Sequence, residues 1–153
     1  MGIALGVTLG ATMGRAVQGF LPFVPPTVTH NDLEAYTVKR KGKVTASIRK
    51  SKRLKAAEDM MRPYVQRLAA AWCCPIKGAV VETLKVCWPC EGKHADGEPR
   101  TDPPDLDNWE KTFNDLCERE GVISCDAHIV AKHSYKVWSE TPGVFVRFEE
   151  LER

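Results

Sequence analysis

No hydrophobic run in this chain is long enough to cross a bilayer. The uncharged opening stretch ends at Arg15, short of the roughly 20 apolar residues a spanning helix needs. It also lacks the basic start of a secretory signal. No internal repeat and no second domain are visible, and 153 residues suit one domain. Acids are missing from residues 39–55, which hold nine of the 22 basic residues and none of the 20 acids. Thirteen basic residues and 20 acids remain elsewhere, a net charge of −7 over the other 136 residues. A formal charge of +2 therefore hides a strong asymmetry. A Cys-x-x-Cys occurs once, at Cys87 and Cys90, with no second copy to complete a four-cysteine zinc site.

What is present describes an ordinary globular chain. It is 43% hydrophobic and 27% charged, enough to bury a core. Six cysteines in a domain with its own core suggest reduced thiols and a cytoplasmic setting. In residues 1–19, Gly2, Gly6, Gly10 and Gly14 recur every four residues, an echo of a helix-packing pattern. That stretch is expected to be a flexible extension or an added first element, with the main domain at 20–153. No membrane role is expected.

The chain is organised around residues 105–126. Asp107 has the chemistry of a helix N-cap, with Glu110 three residues on as its capping-box partner. Trp109, Phe113, Leu116 and Cys117 recur at helical spacing, and Gly121 stops the helix. From Asp126 the chain alternates as a strand, with Ile129, Ala131, Tyr135 and Val137 on one parity. Asp105 and Asp107 thus enter a helix while Asp126 opens the next strand, and a short turn can bring the three together. Clustered carboxylates repel unless a cation neutralises them, and a hard ion such as Mg²⁺ suits oxygen donors and substrate phosphate. Lys111, one turn beyond Asp107, suits a developing negative charge. The plainer reading is a cap, a solvated Lys111–Asp115 pair and two loop acids.

Asp105, Asp107, Asn108, Lys111, Asp115 and, eleven residues later, Asp126 together resemble the RusA family of Holliday junction resolvases. The resemblance runs over roughly residues 20–150 and is strongest in this central motif. It implies a small homodimeric endonuclease that cuts four-way DNA junctions with Mg²⁺, or Mn²⁺ in its place. Asp105, Asp107 and Asp126 match the family's metal-binding aspartates, and Lys111 its catalytic lysine. The chain departs from the family at Pro104, where a basic residue is usual, and at Cys125, where a second acid is usual. A cytoplasmic, bacterial or prophage setting comes from the resemblance alone.

The rest of the chain fits around that centre. Phe20 to Pro26 reads as a short edge strand broken by prolines. His30 is a loop histidine, facing DNA or simply solvated. The basic block offers Lys39, Arg40, Lys41, Lys43, Arg49, Lys50, Lys52 and Arg53 to a phosphate backbone. Residues 52–72 form an amphipathic helix with a kink or second start at Pro63. Val-rich residues 79–88 form a buried strand, residues 91–104 a mobile loop, and Val144, Val146 and Phe148 a last strand hairpinned to 127–138. The expected fold is α+β, one domain in β-α-β-α-β-β order with a mixed sheet and two main helices. Two other readings compete. One is a non-cleaving DNA-binding module, zinc-stapled through Cys87 and Cys90, although zinc is not the expected cofactor. The other, a thiol oxidoreductase, is poor because no helix follows the Cys-x-x-Cys to lower a thiol pKa.

Overall fold

The structure, a computed structural model, describes residues 13–152. Gly2, Gly6 and Gly10 of the glycine repeat lie outside the described residues. Residues 13–19 form most of the first strand, β1 (Met13–Leu21), which ends where Pro22 cannot continue a ladder.

A hairpin follows, β2 (Leu33–Arg40) and β3 (Lys43–Lys50), then helix α1 (Lys52–Ala69). Strand β4 (Val80–Pro89), helix α2 (Leu106–Arg119), a single 3₁₀ turn (Asp126–His128), β5 (Ile129–Ser139) and β6 (Gly143–Leu151) complete the chain. The fold is α+β as expected, with a mixed four-stranded sheet in the order β1-β6-β4-β5. Strands β4 and β5 run parallel, and β6 is antiparallel to both β1 and β4.

The last two strands are not a hairpin, because β4 lies between them. The reason is burial. Val80, Leu84 and Val86 of β4 are wholly buried, so this strand needs a neighbour on each side, whereas Lys132, His133 and Tyr135 leave β5 suited to an edge. Val80, Glu82, Leu84, Val86 and Trp88 share one face of β4. Their apolar members join Val144, Val146 and Phe148 of β6 and the buried stripes of both helices in one core.

Helix α1 starts at Ser51, whose Oγ accepts from the Leu54 amide at 3.0 Å. The expected break at Pro63 is absent and the helix runs through it. Pro63 and Asp59, whose carbonyl the proline leaves unbonded, are both exposed, so water can satisfy the missing bond.

Helix α2 starts earlier than expected. Leu106 packs against the core and draws the chain into the helix, so Asp105 takes the N-cap position and Asp107 lies in the first turn. The capping box does not form. Asp105 makes no side-chain cap, and Glu110 turns toward β5, where Ser134 Oγ donates to it. The loop expected to be mobile is instead laid along β5. Gly97 and Arg100 donate to the carbonyls of Trp138 and Lys136, and Trp138 donates to that of Glu98.

Candidate active site

One side of α2 carries Asp107, Lys111, Asp115 and Glu118, spaced by three or four residues. The turn after α2 brings Asp126 to the middle of that row. Lys111 Nζ donates to Asp115 Oδ1 at 2.7 Å and to Asp126 Oδ2 at 2.6 Å. Hydrogen bonds from Asp115 and then Asp126 raise the Lys111 pKa, so the ammonium stays charged. The bond from Lys111 in turn holds Asp126 below the usual carboxylate range. The Asp126 amide donates to Glu118 Oε2 at 2.9 Å.

Donor atoms of Glu118, Cys125 and Asp126 lie within 4.8 Å of one another, the one such group of three ligand side chains among the described residues. Asp105 and Asp107 stand exposed at the start of α2 and do not belong to it. Asp126, Asp115 and Lys111 are thus brought together, while Asp105 and Asp107 flank them at the helix start. Glu118 was missed in the sequence, although its place seven residues after Lys111 puts it on the same helix side.

A second polar network lies beneath, between α2 and the sheet. Glu82 of β4 is wholly buried and accepts from Asn114 Nδ2 at 3.0 Å. Lys132 Nζ of β5 lies 3.9 Å from Glu82 and 3.7 Å from Glu110. Burial, only partly offset by Asn114 and Lys132, raises the Glu82 pKa to about 7. Burial raises that of Glu110 as well, and the nearby Asp107 charge adds to the rise. Glu82 Oε1 and Asn114 Oδ1 are both buried acceptors with no donor. Protonation of Glu82 brings one O–H donor into this pair. Nothing in the sequence marks Glu82, which sits in a run that reads as an apolar strand.

His30 is not a free loop residue. Its amide donates to Thr112 Oγ1 at 2.7 Å and its Nδ1 lies 3.3 Å from the Asn108 carbonyl, so it braces the start of α2.

The basic block forms the hairpin and the entry to α1. Lys41 and Gly42 close it with positive φ values of 47° and 76°, a turn matched to strand twist. Lys39, Arg40, Lys41 and Lys43 crowd the tip without an acidic partner among the described residues. Arg49 meets Glu34 at 3.4 Å, Lys50 meets Glu58 at 2.6 Å and Arg53 meets Asp32 at 4.0 Å, while Lys52 is exposed.

The register sorts the hairpin into two faces. Arg40, Lys43, Tyr36, Thr45, Ser47 and Arg49 share one of them, and Arg49 lies over the Tyr36 ring at 5.2 Å. Leu33, Ala35, Val44, Ala46 and Ile48 share the other with Thr37, Lys39 and Lys50, and Ile48 is 68% exposed.

Cys87 is buried, Cys90 half-buried, and neither joins a group of three ligand side chains among the described residues. Burial pushes both thiols up, away from the thiolate a metal needs.

A family model described as Endodeoxyribonuclease RusA matches residues 24–149. No curated protein matches the chain.

Proposed function

The chain belongs to the RusA endodeoxyribonuclease family, and from that premise we propose that it resolves four-way DNA junctions by Mg²⁺-dependent paired hydrolysis, with Mn²⁺ as a substitute ion. The observation that carries the reading is the Lys111 ammonium held 2.6 Å from Asp126 and 2.7 Å from Asp115. Among the described residues, the cation paired with both Asp115 and Asp126 is the Lys111 ammonium.

The structure brings together two carboxylates and a thiol, at Glu118, Asp126 and Cys125, and hard carboxylate oxygens suit a divalent ion. Asp105, Asp107 and Asp126 would hold it, with Glu118 beside Asp126 in the place of the acid that Cys125 replaces. A bound Mg²⁺ supplies an acidified water and neutralises phosphate charge. Lys111 stabilises the extra negative charge that builds on the phosphoryl oxygens during attack. Asp126 would hold the ion, and Lys111 would bear on the substrate phosphate beside it. Buried Glu82 and Glu110, tied through Asn114 and Lys132, set the height of α2 over the sheet and so the placement of Asp107.

DNA contacts belong to the unpaired cations of the hairpin tip. Each cation that neutralises a phosphate releases a counterion, so binding weakens steeply with salt. Replacing Arg40, Lys41 and Lys43 together by Ala should lower the slope of log K against log salt by about 3, measured by fluorescence anisotropy across a salt series. An unchanged slope would remove the hairpin tip from the interface.

A homodimer places two active sites on a two-fold, as opposed nicks in a junction require. The exposed apolar face of the hairpin supports it, because an isolated two-stranded ribbon is marginal in water and gains by covering such a face. Ile48→Glu puts a charge into that face, and sedimentation velocity should then show monomer where the unmodified chain shows dimer. The substrate class is tested by competition: excess linear duplex should fail to displace a labelled four-way junction. Equal displacement by linear duplex would refute junction specificity.

A further inference from the structure

The segment that delivers Asp105 to the site is held from below. Arg100 is almost fully buried and its guanidinium lies over two indoles, 4.4 Å from the Trp88 ring centroid and 4.9 Å from that of Trp138. These two tryptophans are register partners on β4 and β5, so the guanidinium is fixed to that strand pair. The Arg100 amide donates to the Lys136 carbonyl at 3.0 Å, and its Nη1 donates to the Asp102 carbonyl at 3.3 Å. Lys136 then closes the far end. Its Nζ donates to the carbonyls of Asp102 and Pro104, both at 2.9 Å. Pro104 directly precedes Asp105.

We propose that Lys136 is a positioning residue for the metal site: by bridging the Asp102 and Pro104 carbonyls it fixes the backbone that presents Asp105. Its charge is spent on two carbonyl oxygens of one short segment, with no carboxylate partner among the described residues. An ammonium has three donors and no acceptor, so two converging carbonyls leave one donor for water. Residues 101–103 are exposed and Pro104 is the single buried residue of that stretch. Without the bridge, the Pro104 carbonyl loses the Lys136 donor and the Asp102 carbonyl keeps the longer bond from Arg100. The proposal rests on the reading of Asp105 as a metal ligand.

Outer partners that orient ligands typically change metal affinity by 10- to 100-fold. The test uses the full chain and Mn²⁺ as the probe, with free Mn²⁺ counted by electron paramagnetic resonance and cleavage of a four-way junction followed against Mg²⁺ concentration. Lys136→Met keeps the stem and removes the ammonium. It should raise the Mn²⁺ dissociation constant and the half-saturating Mg²⁺ about tenfold, while the rate at saturating Mg²⁺ stays within about twofold of the parent. Lys136→Arg keeps the donors and should restore most of the affinity. Hydrogen exchange at the Arg100 and Trp109 amides, which donate to the Lys136 and Asp105 carbonyls, should quicken in Lys136→Met, with other protected amides unchanged, which also shows whether that variant is folded.

Unchanged metal affinity in Lys136→Met would overturn the proposal, as would a fallen saturated rate with unchanged affinity, because Lys136 would then act on substrate. If Asp105→Asn and Lys136→Met both leave Mn²⁺ binding as in the parent, the metal reading itself fails and takes this inference with it. If Asp105→Asn weakens binding and Lys136→Met does not, only the inference fails.

Discussion

Asp107→Asn should cut junction cleavage by about 10³-fold and leave junction binding intact. The substitution keeps shape and removes one negative charge from the acids flanking Lys111. A carboxylate is a metal ligand and an amide a poor substitute, so the charge that recruits the ion is lost. The helix itself barely responds. Asp107 is exposed in the first turn of α2, and an acid there contributes only about 0.5 kcal/mol through the helix dipole. The proposed DNA contacts lie at the hairpin tip, which the change does not touch. Asp126→Asn should lose cleavage equally, with a further signature. It takes a negative charge from beside Lys111, whose raised pKa depends on Asp115 first and Asp126 second, so the lysine should titrate lower than in the parent. Gel mobility and nicking, assayed on the same labelled junction, separate binding from chemistry. Cleavage by Asp107→Asn at the parent rate would remove Asp107 from the site.

The second large effect is on stability. Glu82→Gln should stabilise the protein by about 3 kcal/mol at pH 8 and change nothing at pH 4.5. Folded Glu82 keeps its proton up to about pH 7, while the ordinary value expected of the unfolded chain is 4.5. Stability from this group is therefore complete below about pH 4.5, falls as pH rises toward 7, and stays reduced above it. The glutamine amide copies the protonated acid: its oxygen accepts from Asn114 Nδ2, and its NH₂ brings donors into a pair whose Glu82 and Asn114 oxygens otherwise lack one. For a chain of this size the gain appears as a rise of about 9 °C in midpoint at pH 8, and as a flatter stability profile between pH 4.5 and 7. A loss of stability at pH 8 would mean that Glu82 is ionised and valued there as the partner of Lys132.

The parts of the molecule read from sequence are those with local causes. The side of α2 bearing Lys111 and Asp115 follows from four-residue spacing, and its turn to Asp126 follows from Gly121 and a short connection. The same spacing contained Glu118, but without the Asp126 amide pointing at it there was no reason to prefer it to any surface acid. The two-faced hairpin was present as alternation in Leu33, Ala35 and then Val44, Ala46, Ile48. The basic residues between them drew the reading toward a phosphate contact, with no strand assigned.

Pairing of β5 with β4 rather than β6 is a non-local outcome, settled by which strand has two apolar neighbours to satisfy, and no local pattern states it. Asp107 was misplaced as the cap because a good capping side chain and a nearby Glu are only a preference. Packing of Leu106 and the pull of Ser134 on Glu110 decided otherwise. Glu82, Lys132 and Lys136 were invisible for the same reason. Their roles exist only once β4, β5 and α2 are stacked.

The most direct test of the account is cleavage of an end-labelled synthetic four-way junction beside a linear duplex of the same sequence, with Mg²⁺ and with EDTA. The account predicts paired, symmetrically placed nicks in the junction with Mg²⁺, none with EDTA, and none in the linear duplex under either condition. Nicking that persists in EDTA, or that treats junction and duplex alike, would contradict it.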